Sequence, residues 1–518
     1  MSELLAMVVP ELVLIVAACV LFFAGGAGKS RGTAAAPWLA MAAILAAMVL
    51  NAYAFLPPQN VMDGVSGSLR LDSFAGFIRL VTCVVGVILL LLAWPTRPDG
   101  SGNLAVVWGQ NAGEFFAMFL LSIAGLLLVT LANDLIVLFL AIEMVSIPTY
   151  VMVSLSRPAA AAQEAALKYF FLGAMSSAVM LFGMSYLYGT TGEIAFGPLS
   201  ANLRAAIQTA GSLSTWQMMA VLMVLVGLAF KMAAFPMHFY VGDVYEGAAA
   251  PVTAFIAFVP KAAGFVALLR LLWIVGGNEF ELPAQIVTLL WVMAAVTMSI
   301  GNTLAILQNN VKRLMAYSSV AHSGYMLVGV AALHVPRTQA MEGVIFYLAA
   351  YGIMNAGAFG VLTLLPARDG RDDGAETFAD LAGQGRRHVA IGLAMTVCCL
   401  SLIGIPLTVG FLGKLLLIRQ GLGAGLNWLV VVLLVNAVLS AAYYLRIVGV
   451  MFLAAESGGP IPAELADRQR LGGQSAVVLG VVLAVVATVG FGAVAPVAQV
   501  LMSGASLGST MWVGGARE

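Results

Sequence analysis

Charge is scarce in this sequence. Only 9% of the 518 residues are Asp, Glu, Lys or Arg, while 62% are hydrophobic and the mean hydropathy is +1.01. A soluble domain carries roughly 25% charged residues, so a water-exposed globule is excluded and the chain reads as a polytopic membrane protein. Cysteine is nearly absent too: Cys19, Cys83, Cys398 and Cys399 form no CxxC pair, and the four histidines form no HxxxH. A disulfide framework, a haem site and an iron–sulfur cluster therefore have no support, and no metal or cofactor site is expected. The 26 methionines read as apolar filler and not as a copper site. The opening stretch, MSELLAMVVPELVLIVAACVLFFAGG, holds Glu3 and Glu11 but no basic leader, so it is expected to be a retained first span.

What is there in quantity is apolar runs of bilayer length. A crossing helix needs about 20 apolar residues. Counting such runs predicts an all-α fold of about fourteen transmembrane helices, among them 133–155, 165–188, 215–236, 251–275, 317–335 and 389–418. An even count puts both termini on one side. Sorting loop Lys and Arg gives thirteen on one face and six on the other, which predicts both termini on the outer side. The segment PARDGRDDGAETFADLAGQGRRH reads as a surface loop.

With Lys168 and Arg270, which fall near span ends, and Lys312 counted among the loop residues, five basic residues are left inside the predicted spans: Arg79, Lys231, Lys261, Lys414 and Arg446. Arg79 and Arg446 lie near span ends and are expected to snorkel to the interface. The three lysines are deeper, where a charge costs at least about 2.5–3.5 kcal/mol, so each is a functional candidate by default. Glu143 lies ten residues into the fifth run, at mid-bilayer depth, and is the natural partner of a buried lysine. Asp134 and Glu11 read as interfacial or helix-start residues. Lys168 reads as a headgroup contact or a point of proton uptake, and Gly173, Ser176 and Ser177 as close helix packing.

The stretch FKMAAFPMH, residues 230–238, sets Pro236 just after Lys231. Proline lacks an N–H and clashes with the preceding turn, so helix 7 is expected to break there. The twelfth run carries a similar interruption, SLIGIPLTVGFLGKLLL, with Gly404, Pro406 and Gly410 ahead of Lys414. Two broken helices five spans apart, each with a lysine, predict two inverted five-helix repeats with sites at mid-membrane. The expected division is an N-terminal three-helix segment (1–112), a first repeat (113–275), a second repeat (276–453), and a last loop and helix (454–518). His322 in the second repeat falls near the place Glu143 holds in the first.

The segments FKMAAFPMHFYVGDVYEGAAAPVTAFIAFVPKAAGF, NNVKRLMAYSSVAHSGYMLVG and SLIGIPLTVGFLGKLLL together resemble the antiporter-like membrane subunits of respiratory complex I, the proton-pumping NADH:quinone oxidoreductase. DVYEGAAAPV departs from the PDAH pattern of two of the three sibling subunits, and Lys414 stands where one of them has glutamate. HFYVGDVYEG replaces the usual HLWTPDVYEG. The resemblance implies a non-redox translocase subunit without a cofactor of its own, in a bacterial inner membrane. Its implied partners are other membrane subunits, sibling antiporter-like subunits among them, lipids, water and protons, and not nucleic acid. It also implies an ion pair of Glu143 with Lys231, relay lysines at Lys261 and Lys414, and histidines of a hydrated axis at His238 and His322. A freestanding cation/proton antiporter subunit is the alternative, and a quinone-binding subunit finds no basic, aromatic pocket in the sequence.

Overall fold

Hydrocarbon offers backbone amides no partner, so a chain this apolar must satisfy its backbone within helices. The computed structural model describes residues 2–26, 30–55, 64–94, 96–98, 104–157, 159–277, 280–335, 340–365, 375–454, 474–493 and 502–503. The helices are α1 (Ser2–Gly26), α2 (Ser30–Phe55), α3 (Ser73–Leu92), α4 (Ala112–Leu131), α5 (Leu135–Leu155), α6 (Ala160–Thr191), α7 (Phe196–Ala210), α8 (Thr215–Lys231), α9 (Val241–Gly247) and α10 (Ala250–Gly276). They continue with α11 (Ala284–Ile306), α12 (Val311–Ala331), α13 (Ala340–Leu364), α14 (Phe378–Leu381), α15 (Gln384–Arg387), α16 (Val389–Ile403), α17 (Val409–Gly423), α18 (Asn427–Leu453) and α19 (Ser475–Ala493). Two short hairpins, 64–66 with 69–71 and 96–98 with 104–106, flank α3.

Among the described residues eleven helices are long and apolar enough to cross a membrane, or twelve if the pair bent by 119° at His388 counts as one crossing. The fourteen expected runs exceed this number for a physical reason. Helix α8 stops after 17 residues at its break, α12 carries Lys312, Arg313 and His322, and the run 389–418 is split between α16 and α17. The runs that fall short are the ones that carry polar groups.

Burial sorts the helices into an inner and an outer set. The apolar windows of α10 and α13 are buried throughout, and so is every residue of α12 but Arg313. Helices α1, α2, α6, α11, α18 and α19 bury well under half of theirs and form the perimeter. Caps hold the starts: Asp72 accepts from the Ala75 N–H at 2.8 Å, Asp134 from Val137 at 2.6 Å, and Ser214 with Gln217 closes a capping box on α8. Asp134 is thus a helix-start residue, as expected. Helix α7 was not expected; Phe196, Leu199 and Leu203 bury one face of it, a helical spacing in a stretch read as a loop.

Several charges correct the sequence reading. Arg79 does not snorkel but is buried, with its Nη2 2.8 Å from Glu11 Oε2 and 3.1 Å from the Met7 carbonyl. Glu11 is accordingly a buried partner and not an interfacial residue. Arg270, counted with the loops, is buried in α10 against Asp72 at 3.0 Å and the Thr130 carbonyl at 2.7 Å. Lys312, also counted with the loops, is fully buried against Glu376 and the Ala248 carbonyl. The expected surface loop is folded in over its second half, where Glu376, Asp380 and Leu381 are buried; positions 366–374 lie outside the described residues. Arg446 stays exposed and donates to the Gln308 carbonyl and Asn309 Oδ1, each at 3.1 Å.

The Glu11–Arg79 pair makes a prediction. Removing one partner of a buried pair costs about 3–5 kcal/mol, while replacing both with apolar groups is near neutral. Arg79→Leu is therefore expected to lower the thermal stability of the purified protein sharply, and Glu11→Leu with Arg79→Leu to restore most of it.

Candidate functional site

Helix α8 ends at Lys231, and the chain turns through Ala233, a non-glycine residue at φ 56°, before α9 begins. The freed backbone groups find polar side chains. Tyr240 OH donates to the Phe230 carbonyl at 2.9 Å, Ser323 Oγ donates to the Met232 carbonyl at 2.6 Å, and the Phe235 N–H donates to Thr297 Oγ1 at 3.0 Å. The break is thereby fixed from α12 and α11, and the ammonium sits at a helix C-terminus, where a cation is favoured. Lys231 Nζ lies 3.2 Å from Glu143 Oε1, 2.8 Å from Ser146 Oγ and 3.1 Å from Ser177 Oγ. Ser177 donates in turn to Glu143 at 2.5 Å. Ser177 was read as packing and instead completes the ion pair. Ser176 and Gly173 are packing, Ser176 by a bond to the Gly227 carbonyl and Gly173 by leaving room for the Tyr150 hydroxyl.

Helix α10 brings Lys261 to the other side of this break. One turn further along, Gly264 lies against Lys231 and Met232, and a Cβ there would stand 3.1 Å from Lys231 Cβ and from the Met232 nitrogen. This close approach is what sets the two lysine-bearing helices together. Lys261 Nζ donates to Ser319 Oγ at 2.7 Å and to the Ser319 carbonyl, and Ser323 Oγ bridges that carbonyl, at 3.3 Å, to Met232. Tyr245 OH lies 3.2 Å from Ser319 Oγ. The Lys261 ammonium also stands over the Tyr351 ring, 4.9 Å from its centroid.

His322, on α12, follows. Its ring is fully buried, 5.1 Å from Tyr351, with Nδ1 2.7 Å from Tyr347 OH and Nε2 3.1 Å from Tyr444 OH. Tyr444 OH is bonded to Ser318 Oγ. A neutral imidazole donates from one nitrogen and accepts at the other, so this arrangement can pass a proton between two hydroxyls. On the far side Tyr325 stands 5.5 Å from His322, and Lys414 Nζ lies 4.7 Å from the centroid of the Tyr325 ring. Lys414 reaches back from α17 to donate to the last carbonyls of α16, Leu402 at 2.9 Å and Ile403 at 2.7 Å. Gly404, at φ +90°, ends α16, and a Cβ there would stand 2.9 Å from Lys414 Cδ.

The structure thus strings Glu143, Lys231, Lys261, His322 and Lys414 along one buried seam of serines and tyrosines. His238 lies apart from those five: its ring is beside Phe239 at 4.9 Å, and among the described residues it bonds none of them. Lys168 is exposed on α6 and pairs with Glu164 at 2.7 Å and Asp243 at 2.9 Å. Asp243 also meets Arg313 at 2.8 Å; burial pushes its carboxyl up, but Lys168 and Arg313 more than offset this and hold it below the usual range. Apart from Ser176 and Ser177, read as packing, the serines and tyrosines do not stand out in the sequence, because such residues are also routine within apolar helices. Among the described residues no group of His, Cys, Asp and Glu could hold a metal ion.

Known proteins are similar to this chain over most of its length. The family model described as NADH:quinone oxidoreductase/Mrp antiporter, TM, matches residues 132–440. NADH-quinone oxidoreductase subunit N of Trichlorobacter lovleyi is 35% identical over 453 residues, covering 86% of this chain and 87% of the relative. A chain of respiratory complex I from Thermus thermophilus, solved with bound aureothin, is 28% identical with a TM-score of 0.72, covering 94% of this chain and 98% of the other. A chain of the Mrp complex from a Dietzia species shares the fold at a TM-score of 0.78, with 21% identity over 99% of this chain and 98% of its own. The chain belongs to the NADH:quinone oxidoreductase/Mrp antiporter transmembrane family, and its likeness to subunit N of NADH-quinone oxidoreductases runs over most of its length.

Proposed function

We propose that this chain is the subunit N-type, proton-translocating membrane subunit of an NADH:quinone oxidoreductase, and that protons move along the seam from Glu143 and Lys231 through Lys261 and His322 to Lys414. One observation carries the relay. Arg79, Arg270, Lys312 and Lys231 are each buried beside a carboxylate, whereas Lys261 and Lys414 have no ion pair among the described residues. A permanently charged ammonium without a counter-ion is costly in such a place, so these two lysines fit a site that is charged only part of the time. Lysine suits that work because its proton is removable, unlike that of arginine.

At about 3.2 Å and an effective dielectric near 20, the attraction of Glu143 for Lys231 is roughly 5 kcal/mol. Moving the carboxylate away favours the neutral amine and releases a proton toward Ser323, Ser319 and Lys261. No step needs a cofactor in this chain; quinone reduction is assigned to other subunits of the assembly. Two inverted repeats, 113–275 and 276–453, fit the paired breaks after Lys231 and Ile403, each with a non-glycine residue in the left-handed region, Ala233 and Leu407. With these breaks the count of crossings is fourteen. Both termini are assigned to the outer side of a bacterial inner membrane; withdrawing Lys312 and Arg270 removes one basic residue from each side and leaves the charge asymmetry intact. Lys168, tied to Asp243, is the proposed group at the uptake mouth.

Affinity purification of the tagged chain from its native membrane tests the assignment. Co-purification of an NADH-oxidising, quinone-reducing assembly is the expected result. A stable complex with antiport activity and no NADH oxidation would contradict it.

A further inference from the structure

Lys414 poses a question that Lys231 does not, since it lacks a carboxylate. Its ammonium is held by two helix-end carbonyls and by the face of Tyr325. That ring is turned so that its face meets Lys414 while its hydroxyl is held elsewhere, 2.9 Å from Asn302 Nδ2. Asn302 belongs to α11 and is fully buried. Its Oδ1 accepts from Tyr443 OH at 2.9 Å, and its Nδ2 also faces Asn436 Oδ1 at 3.0 Å and the Met298 carbonyl at 2.9 Å, so two hydrogens serve three acceptors. Asn436 lies on α18 and reaches Ser299 Oγ at 3.2 Å. Helices α11 and α18 belong to the perimeter, where an asparagine is expensive, yet both turn one inward to this point.

We infer that Tyr325 is the electrostatic partner of the Lys414 ammonium, through its ring face, and that Asn302 is the positioning residue that holds the ring there. A desolvated cation over an aromatic face gains about as much as a good hydrogen bond, and it can be switched off without leaving a second charge behind. Asn302 holds the hydroxyl and is itself tied to Asn436 of α18, which keeps the ring face toward the ammonium. Asn302 acts only through that hydroxyl. This reading rests on the relay proposed above.

The test is proton pumping per electron pair in membranes carrying the assembled complex, with the loss in Lys414→Ala taken as the full effect. Tyr325→Leu is expected to lose the same share. Asn302→Leu and Tyr325→Phe should each reduce the Lys414-dependent part roughly fivefold, the factor of one hydrogen bond. Because both remove the same restraint, the double variant Tyr325→Phe with Asn302→Leu should be no worse than either alone. Losses that multiply, or wild-type pumping in Asn302→Leu, would overturn the inference. If Asn302→Leu fails to assemble, Tyr325→Phe must still pump more than Tyr325→Leu, and equal losses would count against the ring face. Wild-type pumping in Lys414→Ala would sink the relay itself, whereas loss there with none in Tyr325→Leu would sink only this inference.

Discussion

Glu143→Ala and Lys231→Ala are each expected to abolish pumping through this subunit while the complex still assembles and reduces quinone. Either change strands a buried charge, at a cost of about 3–5 kcal/mol, and 3 kcal/mol is more than a hundredfold in an equilibrium constant. Glu143→Ala leaves the ammonium of Lys231, among the described residues, with hydroxyl acceptors alone: Ser146, Ser177 and Tyr150. The structure also names a rescue. Ser146 Oγ lies 2.8 Å from Lys231 Nζ, one turn from Glu143 on the same helix. Adding Ser146→Asp to Glu143→Ala is therefore expected to recover part of the pumping, measured as protons per electron pair. Wild-type stoichiometry in both alanine variants would contradict the switch.

The second large effect is at Lys261. If the residue were only a structural charge, Lys261→Arg would preserve function and Lys261→Met would destroy it. A relay predicts that both lose pumping, because methionine carries no proton and arginine does not give its proton up. Assembly and quinone reduction serve as controls. Full pumping in Lys261→Arg would show that a fixed charge is enough at this position.

Much of the fold and of the seam is legible in the sequence, and the gaps have physical causes. A lysine or glutamate in the middle of an apolar run is conspicuous because the bilayer penalises it, so Glu143, Lys231, Lys261 and Lys414 stand out without any structure. The breaks stand out as well, since Pro236 and Gly404 to Gly410 interrupt otherwise continuous runs. Charges near span ends are another matter. Arg270 and Asp72 are 198 positions apart, and nothing local distinguishes their buried pair from two residues at an interface. The same holds for Arg79 with Glu11 and for Lys312 with Glu376, 68 and 64 positions apart. Ser146, Tyr325 and Tyr347 are hidden for the opposite reason, and Ser177 reads as packing for the same one: hydroxyls are cheap inside helices, so their role carries no signal until the partner is seen. His238 is implied by the resemblance alone, and the fold sets its ring beside Phe235 and Phe239.

The central claim is that Lys261 and Lys414 share one hydrated axis with Lys231 and His322 in place of private counter-ions. A density map of the assembled complex with ordered waters tests this most directly. The account predicts a hydrogen-bonded chain of waters and hydroxyls from Lys231 Nζ past Ser319 and Tyr351 to His322, and on past Tyr325 to Lys414 Nζ. Apolar side chains filling the spaces between these groups, with no water joining them, would contradict it and leave the three lysines as isolated structural charges.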